Sequence, residues 1–272
     1  MKATVIGARG FIGAHLVRYL EQGGANVFAP GKNDLTIFAR SLGHVFYCAG
    51  LTADFRQKPV ETIKAHVVYL LDVLERAKYD SLLYLSSTRV YAGSISAQEE
   101  EKLRVNPCDP SDLYNLSKLT GEATCLAFAS NRVRIARLSN VYGAGMDAAN
   151  FLPSLIQDAV MRGRILLQTS LESVKDYVWI RDVVEVLPKI ALSGDRRLYN
   201  VAEGRNVSTN QIVERLKRLT GCTIDVAPNA PTVAFPQILT DRVRAEFGFS
   251  PVPVEKVIEE MVADCHGKSE TV

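Results

Sequence analysis

The chain of 272 residues is 47% hydrophobic and 23% charged, with 32 basic against 30 acidic side chains and a formal net charge of +2. That length suits one large α/β unit, or a main domain with a small annex. The near balance of charge excludes nucleic acid as the principal partner and leaves room only for a local anion site. No run of about 18 apolar residues occurs, which excludes a membrane-spanning helix. Cys48, Cys108, Cys125, Cys222 and Cys265 are scattered, odd in number and without a Cys-x-x-Cys pair, so neither a zinc site nor a disulfide framework is indicated. Each reads as a small buried apolar residue. The opening residues Lys2 to Ile6 are too short for a signal-peptide core, and a reduced, cytoplasmic compartment is the expectation.

Ala3 to Ile6 reads as the first strand. Directly after it stands Gly7-Ala8-Arg9-Gly10-Phe11-Ile12-Gly13, and the helical pattern of Ile12, Leu16, Val17 and Leu20 follows without a break. In a strand, glycine loop, helix order the first glycine permits the tight turn, the second lets backbone approach a pyrophosphate, and the third lets helix and strand pack closely. The helix N-terminus then offers unpaired N–H groups and positive dipole to phosphates. Dinucleotide binding follows.

The second strand, Asn26 to Ala29, leads into Pro30-Gly31-Lys32 with no carboxylate to receive ribose hydroxyls. Arg9 sits inside the glycine loop instead, and Lys32 adds a second cation. Guanidinium geometry suits a phosphate. NADP(H) is therefore the favoured cofactor, with NAD(H) the alternative.

His44 to Cys48 is the third strand; Ile63, Val67, Leu70, Leu71 and Leu74 then form one apolar helical stripe, read as core. Leu82 to Leu85 is the fourth strand and ends in the hydroxyls of Ser86-Ser87-Thr88, at the carboxyl end where open α/β sheets bind ligands. Pro110 and Ser111 mark a helix start, and Tyr114 and Lys118 share one face of that helix. A phenol with a pKa of about 10 needs roughly 4 kcal/mol of differential stabilisation to work near neutrality. The neighbouring ammonium is expected to supply part of it and an oxidised nicotinamide more. Val133 to Leu138 is the fifth strand, and the unalternating apolar runs are those of parallel strands covered on both faces.

Beyond about Gly145 a helix begins at Ser208, with Gln211 placed for a capping box. It carries Ile212, Val213, Leu216 and Leu219 and stops at Gly221. A last helix has Val254, Val257, Ile258, Met261 and Val262 on one face, and residues 267–272 read as a tail.

Taken together these motifs resemble the extended short-chain dehydrogenase/reductases, the NAD-dependent epimerase/dehydratase family, which act mainly on nucleotide-activated sugars. The resemblance rests on the Gly7/Gly10/Gly13 loop, Tyr47-Cys48-Ala49-Gly50, Ser86 to Tyr91, the Tyr114/Lys118 pair, Arg137 to Gly143, Lys175 to Val183, and Phe247-Gly248-Phe249-Ser250-Pro251. It implies a Rossmann-type α/β fold with a doubly wound parallel sheet over residues 1–145 and about 176–200. A small C-terminal α/β substrate domain would comprise residues 146–175 and 201–272.

The resemblance makes Tyr114 the acid/base, Lys118 the ribose ligand that lowers its pKa, and Ser87 the hydroxyl that orients the substrate oxygen. It places Gly7, Arg9, Gly10, Phe11, Ile12, Gly13, Lys32, Asp34, Leu35, Ala49 and Gly50 along the cofactor, with Asp34 and Leu35 at the adenine. Thr88, Asn140, Asn150 and Lys175 fall on the substrate side. Lys175 stands where relatives often carry a diphosphate-binding arginine, and His66 fills a helix position that is often asparagine; a satisfied helix histidine is the reading for it.

Relatives that remove water from sugars follow the catalytic hydroxyl with an Asp-Glu pair, whereas Thr88-Arg89 stands here. The short link after the second strand and the arginine in the glycine loop look like reductases of 4-keto-6-deoxy sugar nucleotides. An NADPH-linked reductase is thus the first expectation, a nucleotide-sugar epimerase the second, and a non-catalytic NADP-sensing regulator the third. A homodimer paired through the helix around residues 60–77 and the Tyr114 helix is also implied, with no nucleic-acid or membrane partner.

Overall fold

The computed structural model describes residues 1–32, 34–52, 54–128, 130–146 and 150–269. Strands β1 (Lys2–Ile6), β2 (Asn26–Phe28), β3 (His44–Tyr47), β4 (Ser81–Ser87), β5 (Val133–Leu138) and, after three strands described below, β9 (Leu198–Val201) make one parallel sheet. Their order is β2-β1-β3-β4-β5-β9. Strand order reverses between β1 and β3, the switch point at which such sheets bind ligands. The link from β2 to β3 holds only a single helical turn, Leu35–Phe38, so β2 remains the sheet edge.

Both faces of this sheet are covered, which is why the strands read as continuous apolar runs. On one face Val5, Phe46, Leu83 and Ala136 pack with Leu16 of α1 (Phe11–Gln22) and with Val183 and Leu187 of α6 (Ile180–Ser193). On the other, Val45, Tyr47, Leu82 and Ile135 pack with Leu70, Val73 and Leu74 of α3 (Tyr69–Arg76) and with Cys125 of α4 (Leu113–Ala127).

The helix before β4 is not uniform: α2 (Pro59–Ile63) passes through a wide π turn, Lys64–Val68, into α3. The carbonyls of that turn find partners from the sheet, since Tyr47 donates to Ala65 O at 2.6 Å and Tyr84 to His66 O at 3.4 Å. The wide turn also alters which residues face inward. Thr62, His66, Leu70, Val73 and Leu74 are buried, whereas Leu71 is 42% exposed and Ile63 and Val67 are only half-buried. The stripe read as core is therefore core along only part of its width.

A second, smaller body holds the three-stranded sheet of β6 (Asn140–Tyr142), β8 (Val174–Trp179) and β10 (Asn206–Ser208), and the pair β7 (Arg164–Leu167) and β11 (Thr223–Val226). Around them α5 (Phe151–Gln157), α7 (Thr209–Thr220) and α9 (Val254–Ser269) contribute Leu155, Ile212, Val213, Leu216, Val257 and Ile258 to one apolar cluster. The capping box at Ser208 forms, and Gly221 ends α7 at φ +73°. α9 continues to Ser269 where a tail was expected, and residues 270–272 lie outside the described residues. Chain passages between the two bodies converge on Asp176. Its carboxylate accepts from Ser139 Oγ at 2.6 Å and from the N–H groups of Glu203, Gly204 and Arg205 at 3.0, 2.7 and 3.0 Å.

Among the described residues no helix is long and apolar enough to cross a membrane, and no cluster of three metal-ligating side chains occurs. The five cysteines are free; Cys125 and Cys222 are buried, but Cys108 is exposed on the loop before α4, against the expectation of burial for all five.

Candidate active site

The turn from β1 to α1 shows which glycines the fold needs. Gly7 has φ +89°, and a Cβ there would lie 2.6 Å from Ala49 N; at Gly13 a Cβ would lie 2.3 Å from Gly7 O. Gly10 differs, because a Cβ on it would meet only Gly7 O at 3.4 Å. The protein itself hardly constrains that position, so its lack of a side chain serves the space outside it. Gly10 is also the N-cap of α1 and supplies no side-chain acceptor for the first-turn N–H groups. A helix start with free donors and no Cβ in front of it fits a pyrophosphate.

The neighbouring edge of the sheet, beside β2, is more open. Arg9 and Lys32 are exposed, and Leu35 is 73% exposed. Asp34 caps the turn at Leu35–Phe38 by accepting from Thr36 N at 2.9 Å and Thr36 Oγ1 at 2.7 Å, and these bonds hold its carboxyl below the usual range. Sequence reading missed Arg40, whose guanidinium lies 4.2 Å over the ring of Phe28 at the end of β2. Only the return of the chain past the sheet edge brings it there. The end of β2 thus carries a cation where NAD-reading folds carry a carboxylate.

At the carboxyl end of β4, Ser87 accepts from Arg89 N at 3.2 Å as the chain turns into Thr88–Tyr91. α4 enters through Pro110–Asp112, capped by Asp109, and brings Tyr114 and Lys118 into the same space. Tyr114 is 4% exposed, between Phe55 and His66 at ring-centroid distances of 5.5 Å each. Burial pushes its phenol up, while the Ser87 hydroxyl and the Arg89 guanidinium pull it down.

Lys118 is held from the sheet side. Its ammonium donates to Leu85 O at 2.9 Å and lies 5.1 Å over the Tyr84 ring; burial lowers it to about 8 against the opposing pull of Glu122 and Cys48. The phenol stays above its ordinary value because desolvation outweighs the neighbouring positive and hydroxyl groups.

His66 is buried and satisfied. Ser117 Oγ donates to Tyr114 O at 2.8 Å, so its 2.7 Å contact with His66 Nδ1 requires the imidazole to donate, leaving Nε2 to accept from Leu51 N at 3.2 Å. Burial lowers its pKa to about 2, with Lys118 adding to the effect, so the ring is neutral. It ties the π turn to α4 and to the Gly50–Leu51 backbone. The close fit extends to Gly121, where a Cβ would stand 2.5 Å from the Tyr84 hydroxyl and 2.9 Å from His66 O.

These groups face a cavity of about 410 Å³. Gly10, Phe11, Ile12, Gly13 and Gly50 line it, together with Ser87, Tyr114 and Lys118 and with Asn140, Asn150 and Lys175. Gly7, Arg9, Lys32, Asp34, Leu35 and Ala49 do not border it; Ala49 packs behind Gly7. A second cavity of about 400 Å³ shares Ser87, Arg89, Asn140 and Lys175 with the first, and Thr88 borders only this one. Asn140 Nδ2 donates to Asp176 O at 2.7 Å, and Lys175 Nζ lies 4.9 Å over the Phe151 ring. Burial and Arg89 lower the Lys175 ammonium.

Behind the site, Glu122 of α4 accepts from Arg137 of β5 through Nε at 3.0 and 3.2 Å and through the terminal nitrogen at 2.6 Å, and from Ser86 Oγ. Arg137 in turn donates to Tyr91 Oη at 2.7 Å. The motif containing Arg137 was legible; its partner was not, because nothing in the spacing pairs residues on different elements.

Residues 3–202 match the sequence profile of the NAD dependent epimerase/dehydratase family. The chain is similar to UDP-glucuronic acid decarboxylase 3 of Arabidopsis thaliana, at 22% identity over 92% of this chain and 84% of that one. It is likewise similar to dTDP-4-dehydro-6-deoxy-D-allose reductase of a Streptomyces species, at 24% identity over 94% and 93%. The solved structure of MoeE5 in complex with UDP-glucose and NAD superposes with a TM-score of 0.83 and 25% identity over 99% of each chain. With the glycine cradle at a sheet switch point, a Ser/Tyr/Lys set at the cavity beside it, and a profile spanning more than two thirds of the sequence, the chain belongs to the NAD dependent epimerase/dehydratase family.

Proposed function

We propose that the enzyme reduces the keto group of a nucleotide-activated sugar, with NADPH as the preferred donor. The observation that carries this reading is the cavity lining: Ser87, Tyr114 and Lys118 meet there with no Asp or Glu among the described residues of its wall. Eliminating water or abstracting a carbon-bound proton calls for a further acid/base group placed at that carbon, a task often given to a carboxylate; hydride transfer to a carbonyl needs only the phenol.

A bound nicotinamide dinucleotide supplies the hydride. Gly10 and the first turn of α1 hold its pyrophosphate, and Lys118 donates to its ribose. Tyr114 Oη gives a proton to the oxygen of the keto group as negative charge develops there, and Ser87 Oγ hydrogen-bonds the same oxygen. The buried wall of Tyr114, Phe55 and His66 excludes water from that proton. Asn140, Asn150 and Lys175 receive the sugar and its diphosphate. Arg9 and Arg40, with Lys32, support the preference for a 2′-phosphate; NADPH affinity reduced about tenfold in Arg9→Ala/Arg40→Ala, with NADH affinity unchanged, is the expected result.

The epimerase reading is favoured by the second cavity beyond Ser87, which gives a transient ketone room to turn. NADPH absorbance followed with a panel of 4-keto sugar nucleotides, 6-deoxy sugars first, decides between them. Stoichiometric loss supports reduction; an altered sugar without loss supports epimerisation; neither change overturns both. A homodimer paired through the helix of residues 59–76 and the Tyr114 helix α4 is supported by Val60, Val68, Leu71 and Leu126, which are 58, 49, 42 and 41% exposed on them, and a monomer at micromolar concentration rejects it.

A further inference from the structure

Arg89 follows the catalytic hydroxyl by two residues and has no settled partner. Its guanidinium stacks 5.1 Å from the Phe55 ring and 5.5 Å from the Tyr114 ring, and among the described residues its one side-chain hydrogen bond is a long 3.5 Å contact to Ser111 O. The carboxylates within electrostatic range are occupied elsewhere. Asp112 accepts from Asn106 N at 2.7 Å and Asn115 Nδ2 at 2.8 Å, and Asp109 accepts from Ser111 N at 2.8 Å. Arg56 adds a further cation beside the same Phe55 ring, at 4.6 Å. An arginine half out of water with most of its donors idle is costly unless something anionic completes it.

The second cavity opens on the same guanidinium: Arg89 lines it as well as the first, and Ser87 is common to both, so the cation stands on the wall shared by the two spaces.

Resting on the nucleotide-sugar reading above, we propose that Arg89 is a specificity residue that binds a carboxylate on the reacting sugar, next to the carbon served by Tyr114 and Ser87. The substrate class is then a nucleotide-linked sugar acid, with a carboxylate where a 6-deoxy sugar carries a methyl group. The diphosphate does not account for Arg89. That anion lies across the sugar ring from the reacting carbon, and Lys175, against Phe151 at the start of α5, is the cation available to it. Arg89 instead lies against the Tyr114 ring itself, within about one sugar ring of the phenol. Its planar fork matches a carboxylate in two hydrogen bonds, which a lysine in its place would not.

The test is calorimetric titration of the cofactor-saturated enzyme with matched pairs, UDP-glucuronate against UDP-glucose and the corresponding thymidine diphosphates. Wild type, Arg89→Met and Arg89→Lys are compared, with cofactor affinity reporting that each variant is folded. The expected result is at least tenfold tighter binding of the uronate by the wild type, loss of that preference in Arg89→Met, partial retention in Arg89→Lys, and affinity for the neutral sugar within about threefold throughout. Equal binding of both sugars by the wild type, or a preference that survives Arg89→Met, overturns the proposal and leaves the nucleotide-sugar reading standing. Binding of neither sugar by an enzyme that still takes its cofactor overturns both.

Discussion

Glu122→Gln probes the ion pair on which the catalytic helix is mounted. Both side chains are sequestered, at 5% exposure for Arg137 and 4% for Glu122, so solvent screens little of their attraction. The substitution keeps the shape and removes the charge, leaving the buried Arg137 guanidinium with neutral acceptors alone among the described residues, namely one amide oxygen at position 122, Tyr91 Oη and Glu99 O. Breaking a buried pair from one side costs about 3–5 kcal/mol, a large share of a total stability of about 5–15 kcal/mol. With a urea m-value of about 3 kcal/mol/M the unfolding midpoint falls by about 1 M or more. Urea denaturation followed by the fluorescence of Trp179, the single tryptophan, measures it. The companion variant Glu122→Leu/Arg137→Met removes both charges and should recover most of the loss, because two desolvated ions are exchanged for apolar contacts. A loss below about 1 kcal/mol for the single variant, or a double variant worse than the sum of the singles, refutes the reasoning. Glu122 also helps to keep Lys118 protonated, so the single variant should lower the Lys118 pKa further below about 8.

Tyr114→Phe removes the proton carried at Oη and should reduce turnover by about 10²–10⁴-fold with cofactor affinity preserved; stopped-flow rates beside fluorescence binding read the two separately. Gly10→Ala and Gly13→Ala should part company. The first leaves stability within about 0.5 kcal/mol and weakens cofactor binding at least tenfold, whereas the second, whose Cβ meets Gly7 O at 2.3 Å, lowers the melting temperature. Equal effects on stability would contradict the cradle as described. Lys118 has a folded pKa of about 8, below its unfolded value, so between pH 8 and 10 the unfolded chain holds a proton that the folded chain has released. Stability on this account rises with pH through that window. Any advantage of Lys118→Met over the wild type in urea should shrink by about 2 kcal/mol from pH 8 to 10, at about 1.36 kcal/mol per unit; a constant difference rejects a buried ammonium.

The five strands of the first half were legible because covering a parallel sheet on both faces demands unbroken apolar runs, and such runs survive in sequence whatever the details of packing. The β1–α1 cradle was legible for a similar reason: φ +89° at Gly7 and the contact at Gly13 admit almost no other residue. Positions set by tertiary return were not. Arg40 reaches Phe28, and Arg137 reaches Glu122, only after the chain has come back from another element. The π turn at Lys64–Val68 likewise has no periodic signature, and it changes which side of the helix is covered, leaving Leu71 exposed. Lys118 was legible as a residue, but helical spacing, which places it near Tyr114, does not disclose that Leu85 O and the Tyr84 ring hold its ammonium. Arg89 was noticed in sequence for the pair it replaces. That its guanidinium lacks a partner is visible only once Asp109 and Asp112 are seen to be engaged.

The convergence on Asp176 has a mechanical consequence. One carboxylate on β8 fastens the exit from β5 at Ser139 and the exit from β9 at residues 203–205. Four donors from two separate chain segments meet on this one side chain, so its loss would free both exits at once. Lys175 precedes it in the strand, and the same anchor therefore sets where that ammonium stands on the cavity wall.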